Sequence, residues 1–236
     1  MCGNTRRRSI GLATLLAALA AIVADGGPLA AATVADRLRE FGPAARLRLE
    51  PYFDRAAVAY PPSRLTLVGL KGEGLLDLYA ANRGGAMRFV RSYPIQAASG
   101  VLGPKLRLGD QQVPEGLYRI ELLNPNSRFH VSLRVNYPNA FDRRMALAEG
   151  RRALGGDIMI HGNRVSIGCL AMGDEAAEDL FVLAADTGLQ RIDVILAPVD
   201  LRYRPRPSTS DLPGWTSALY AEIRAALAAL PAPDRR

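Results

Sequence analysis

From Pro61 to Val199 the chain is cut into short apolar runs: RLTLVGLK, LLDLYAANR, AMRFVRSYPI, GLYRIELL, RFHVSLRVNY, DIMIHG and RIDVILAPV, separated by segments bearing glycine, proline or asparagine. Runs this brief, rich in branched and aromatic residues and bounded by turn formers, read as β-strands. In RFHVSLRVNY, Phe129, Val131, Leu133 and Val135 alternate with His130, Ser132, Arg134 and Asn136, the period of two that gives a strand one apolar and one polar face. His130 then falls on the wetter face, and strand neighbours are its expected hydrogen-bond partners. In DIMIHG the same rule sends Ile158 and Ile160 one way and Met159 and His161 the other. Two segments read instead as helices. DEAAEDLFVLAAD is acidic in its first turn, with Asp174 the expected N-cap and Gly188 the stop. Trp215, Leu219, Ile223, Leu227 and Leu230 recur at helical spacing near the C-terminus.

Arg6, Arg7 and Arg8 precede an apolar run from Ile10 to Ala24, and Asp25, Gly26, Gly27 and Pro28 lead to Ala30, Ala31 and Ala32. This is the order of a secretory signal, and the run is short for a membrane helix, which needs about 20 residues. The expected organisation is a signal over 1–32, a helical or irregular segment over 33–58, a strand-rich domain over 59–199, and an extension over 200–236 with an amphipathic helix. The mature protein is then periplasmic or otherwise extracytoplasmic and does not span the membrane. Removing the leader leaves 27 basic and 22 acidic residues, an excess of +5. The basic residues are scattered rather than blocked and do not interleave with aromatics, which argues against a nucleic-acid partner.

Of the two cysteines, Cys2 lies in the leader, so a mature chain would keep Cys169 alone and form no internal disulfide. A left-over cysteine in an exported protein is a buried small side chain, a partner for another chain, or a reactive thiol. The stretch HGNRVSIGC favours the last. A nucleophilic cysteine needs a base, an exposed turn and backbone N–H groups aimed at a developing oxyanion. His161 leaves a strand into Gly162, Gly168 permits a tight turn just ahead of Cys169, and Ser166 can fix that turn by hydrogen bonding. Asn163 and Arg164 are candidates for holding substrate, and Arg143 and Arg144 are further candidates for a carboxylate. His130, His161, Cys169 and Asp174 lack the close ligand pairs of a zinc site, so no metal and no cofactor is expected.

HG followed by SIGC resembles the signature of the L,D-transpeptidase catalytic domain, the YkuD type. AYPPSRLTLVGLKGEGLLDLYA, GVLGPKLRLGDQQVPEGLYRI, NPNSRFHVSLRVNYPNAFDR and IMIHGNRVSIGCLAMGD are similar to its YafK-like branch, so the likeness extends over about residues 59 to 199. The resemblance implies a mainly β fold with peripheral α-helices, a mixed β-sandwich. It implies Cys169 as acylated nucleophile, His161 as base and Gly162 as the residue whose carbonyl orients the imidazole. Ser166 and Gly168 would shape the turn, with the N–H groups of Gly168 and Cys169 facing an oxyanion. The implied substrates are peptidoglycan stem peptides, with a wall-linked lipoprotein as a further partner. Ile167 stands where many members carry a second histidine. Three activities stay open: transpeptidation, hydrolysis of a diaminopimelate-linked amide by the same pair, and wall binding without catalysis.

Overall fold

The computed structural model describes Met1, residues 31–207 and residues 211–233; Cys2 and the rest of residues 2–30, nearly all of the expected signal, lie outside them. Residues from Ala32 onward form one compact unit. Its elements run α1 (Val34–Glu40), α2 (Gly42–Ala56), β1 (Arg64–Leu70), β2 (Leu75–Ala81), β3 (Arg88–Pro94), β4 (Ala97–Ala98), β5 (Gly116–Ser127), β6 (His130–Val135), α3 (Ala140–Ala148), β7 (Met159–His161), β8 (Leu170–Ala171), α4 (Asp174–Thr187), β9 (Ile192–Ala197) and α5 (Thr216–Ala228). The fold is mainly β with peripheral helices.

The strands form a mixed sheet in the order β3-β2-β1-β9-β5-β6-β7-β8-β4. β1 with β9 and β7 with β8 are parallel. The long strand β5 serves both halves: Gly116 to Arg119 pair with β9, and residues from Ile120 onward pair with β6 through two register shifts. Such irregularities bend a strand and increase its twist. Because β3 ends at Pro94 and β4 begins at Ala97, the two edges of the sheet are also close along the chain. The expected sandwich is thus one sheet curled on itself.

The curled sheet packs one face against α2 and α4. Leu65, Leu67, Leu76 and Leu78 from one half and Val131, Leu133, Val135 and Ile160 from the other meet Leu49, Phe53, Leu180 and Phe181 in one core. Val68, Leu70, Tyr79 and Ile195 point to the other face, where Leu219, Ile223 and Leu227 of α5 cover them. Both faces of β1 are therefore buried, which is why RLTLVGLK shows no alternation. The segment over 33–58 is helical, and Phe41, Ala45, Leu49 and Phe53, four residues apart, put it in the main core.

The structure departs from the sequence reading at four points. Arg128 and Phe129 form the β5–β6 turn instead of opening a strand. Asn139 to Arg144, which the strand and helix patterns do not cover, hold the N-cap and first turn of α3, where Asn139 and Asp142 form a capping box. Gly173, not Asp174, is the N-cap of α4. His130 has φ +73° and bonds Glu178 of α4 at 3.0 Å, a partner 48 residues away, instead of a strand neighbour.

Candidate active site

Sheet register determines which side chains share the site. His161 lies opposite Ser132 and Met159 opposite Arg134 across β6–β7; Ile160 aligns with Leu170 and His161 with Ala171 across β7–β8. Residues directly opposite share a face, and alternate residues along a strand return to it. Met159, His161, Ala171 and Cys169, one residue before β8, therefore project from the side away from Ile160 and the main core. His161 and Cys169 are diagonal cross-strand neighbours on that side.

His161 is 1% exposed and stacks on Phe129, with ring centroids 4.8 Å apart. Its Nδ1 lies 2.6 Å from the carbonyl oxygen of Gly162. A carbonyl only accepts, so Nδ1 carries the proton and Nε2 of the neutral ring is a base. Gly162 is required here by close approach. A Cβ on it would lie 2.5 Å from Asp174 Oδ1 and 2.9 Å from the Phe129 carbonyl.

Cys169 Sγ accepts from Met159 N at 3.4 Å and donates to the Asp157 carbonyl at 3.6 Å. Ser166 Oγ organises the turn: it donates to the Cys169 carbonyl at 2.6 Å and accepts from the N–H groups of Gly168 at 3.3 Å and Cys169 at 3.1 Å. Gly168 adopts φ +120°, a conformation open to glycine. The expectation that the N–H groups of Gly168 and Cys169 stand ready for an oxyanion is modified accordingly, since both already donate to Ser166 and would serve an oxyanion by sharing or releasing that contact. Val165 and Ile167 are 53% and 78% exposed, so the turn is at the surface.

Burial pushes the Cys169 thiol above its ordinary value, opposed by the Met159 N–H and by Lys105. Burial also lowers the His161 imidazole, opposed by its contact with Gly162. Both directions favour a neutral thiol beside a neutral imidazole at rest, with proton transfer during attack instead of a standing thiolate.

Asn163 and Arg164 follow Gly162 along the chain and line a cleft of about 570 Å³ with Arg91, Gln96, Asp174 and Glu175, a cleft whose lining includes neither His161 nor Cys169. Asp174 Oδ1 accepts the Asn163 N–H at 2.7 Å, which pins the loop to α4. Arg143 and Arg144 belong to α3, and Arg144 lies over the Phe141 ring. Among the described residues no group of three His, Cys, Asp or Glu side chains could hold a metal, and no helix is long and apolar enough to cross a membrane.

Two parts of the site were not legible in the sequence. Ser99 N donates to Ser166 Oγ at 3.3 Å and Ser99 Oγ donates to the Gln111 carbonyl at 2.7 Å, so the segment between β4 and β5 buttresses the nucleophile turn. Ser132, opposite His161, is 1% exposed and its hydroxyl has no hydrogen-bond partner among the described residues. Alternation put Ser132 on the polar face, but only strand pairing puts it beside the histidine.

The family model of the L,D-transpeptidase catalytic domain, YkuD, matches residues 75–194. A protein of Escherichia coli (strain K12) named "Putative L,D-transpeptidase YafK" is 42% identical over 113 residues, covering 47% of this chain and 43% of that protein. The chain thus aligns with less than half the length of this relative. Among solved structures, the helical cell shape determining protein Pgp2 of Campylobacter jejuni gives a TM-score of 0.49 at 20% identity, covering 70% of this chain and 57% of that one. L,D-transpeptidase 1 of Mycobacterium tuberculosis gives 0.33 at 16% identity, covering 57% and 62%. The match over β2 to β9, which includes the His161–Cys169 strand-and-turn unit, shows that the chain belongs to the L,D-transpeptidase catalytic domain family, with a YafK-like sequence.

Proposed function

We propose that the protein is an exported cysteine acyltransferase that acts on peptidoglycan stem peptides as an L,D-transpeptidase. The observation that most supports this is the Nδ1 contact of His161 with Gly162, which leaves Nε2 as a base on the face that carries Cys169. As Cys169 Sγ attacks the carbonyl at the L-centre of diaminopimelate, its proton passes to His161 Nε2 and a tetrahedral oxyanion forms. Collapse breaks the C–N bond, the departing amine takes the proton from His161, and a thioester remains on Cys169. An amine acceptor then attacks and gives its proton to His161. The new amide forms, and the departing sulfur recovers the proton. No cofactor enters these steps.

A second reading is hydrolysis, an amidase acting on a diaminopimelate-linked bond to a second stem or to a wall-linked lipoprotein. The exposure of Val165 and Ile167 in the nucleophile turn supports it, because a turn open to water admits hydrolysis of the thioester. The leader supports an extracytoplasmic location. Incubation with stem tetrapeptide and a protein-linked muropeptide, with and without excess diaminopimelate-type amine, tests the choice by product mass. Transfer product that rises with acceptor supports the transpeptidase; hydrolysed product alone at every acceptor concentration selects the amidase.

A further inference from the structure

Among the described residues, Ser132 is the one serine whose hydroxyl is shut off from solvent and has no hydrogen-bond partner. Thr187 and Thr216 share that property, but both lie at helix ends, where open backbone groups offer partners after a small adjustment. Ser132 lies inside β6, directly opposite His161. We propose that Ser132 is a positioning residue for the base: when the imidazole is charged, the hydroxyl turns its oxygen to the ring and holds the imidazolium in place. The inference rests on the acyl-transfer reading for its part in the reaction and on the strand pairing for its geometry.

The pairing brings the two side chains as close as neighbouring strands allow. Gly162 N donates to the Val131 carbonyl and Val135 N to the Ile158 carbonyl, which places the hydrogen-bonded pairs of β6 and β7 at the odd-numbered residues of β6. Ser132 and His161 are then a non-hydrogen-bonded pair, with Cα atoms about 4.5 Å apart instead of about 5.5 Å. On its other side Ser132 pairs with Asn124 of β5, whose side-chain oxygen already accepts from Asn126 N at 2.9 Å. Phe129 stacks on the face of the imidazole and Gly162 takes Nδ1, so a hydroxyl beside the ring meets its edge.

A hydroxyl is both donor and acceptor, and burying it unpaired works against folding, whereas alanine would fill the same place without that cost. The neutral ring offers the serine oxygen no free N–H, because its one N–H is committed to Gly162. Proton transfer from Cys169 changes this. The imidazolium carries a second N–H and a positive charge at its edge, and an acceptor that reaches it by rotation about χ1 lowers its energy. The benefit arises in the charged state through which acyl transfer passes, not in the resting one.

The test pairs an NMR titration of His161 with acylation kinetics, in the wild-type protein and in Ser132→Ala. The chain has two histidines, and the imidazole resonance lost in His161→Ala is that of His161. The ionisable groups brought toward the ring are Cys169 with Asp157, Arg134 on β6, His130 in the β5–β6 turn, and Asp174 and Glu178 on α4. All are the same in both proteins, so a shift reports the hydroxyl. Ser132→Ala is expected to lower the His161 midpoint by about one pH unit and to slow acylation of Cys169 by stem tetrapeptide about tenfold at neutral pH, the loss of one hydrogen bond to a charged group. The acid limb of the rate should move down with the midpoint, and the urea midpoint should stay the same or rise. A His161 midpoint unchanged in the variant would overturn the assignment. So would a variant that loses stability or fails to fold, because the hydroxyl would then serve the fold. Wild-type protein that is never acylated contradicts the acyl-transfer reading, and the titration still decides whether Ser132 favours the charged ring.

Discussion

At Gly162, two constraints meet in one residue: its carbonyl holds the His161 ring while its missing side chain admits Asp174 and the Phe129 carbonyl. Gly162→Ala should therefore cost about 1–3 kcal/mol of stability by overpacking and also displace the histidine. Urea unfolding and acylation rate would both fall; unchanged acylation at reduced stability would separate the two roles. The opposed shifts at the dyad give a pH prediction. Burial lowers the imidazole from its ordinary value, which favours the unprotonated base at neutral pH, so kcat/KM should fall only on the acid side. Burial raises the thiol above its ordinary value, so alkylation of the free protein by iodoacetamide should rise with a midpoint on the alkaline side of that of an ordinary cysteine. A midpoint near neutrality would instead show a standing thiolate–imidazolium pair. The spacing of His161, Ser166 and Cys169 was legible in the sequence because turn and strand chemistry are local. The state of the dyad was not, since burial by Phe129 and the neighbouring strands is a property of the assembled sheet.

Among the elements, α5 shows how far periodicity reaches. Leu219, Ile223 and Leu227 recur at helical spacing, and all three are buried against Val68, Leu70 and Ile195. Tyr220 is buried there as well, which spacing did not suggest, because its hydroxyl reaches Glu115 at 2.7 Å. Ile223→Ala should lower the unfolding free energy by about 2–5 kcal/mol, measured by denaturant titration. A change below that range would mean that α5 covers the sheet less tightly than its burial indicates. We also propose that α5 is integral to the folded unit, not a dispensable extension. β7 and β8 were harder to read. DIMIHG reads as one strand, but the pairing that forms the site, His161 with Ala171 on a strand of two residues, depends on contacts across the fold. Short strands carry little pattern of their own. α3 was missed even though its signal was local: Asn139 and Asp142 are spaced as a capping box.

Across the whole molecule, the mainly β class followed from the succession of short apolar runs, but the curl of the sheet did not. It follows β5, which changes partners midway. A buried polar knot also joins segments distant in sequence. Lys71 lies 2.9 Å from Glu115, and both side chains are nearly inaccessible. Glu115 also accepts from Gly103 N and Tyr220, while Lys71 donates to the Gly103 and Val113 carbonyls. Glu115→Ala leaves the buried ammonium without its counter-charge and should cost about 3–5 kcal/mol, read by urea unfolding. A loss below about 1 kcal/mol would mean that water enters the knot in solution. The account as a whole depends on acyl transfer through Cys169. It is tested most directly by intact-mass analysis of the protein after incubation with a disaccharide tetrapeptide. The account predicts an adduct on Cys169 equal to the substrate less its terminal amino acid, absent in Cys169→Ala and formed about 10²–10⁴-fold more slowly in His161→Ala. An adduct that forms at the same rate without His161, or wild-type protein that never acquires one, would contradict it.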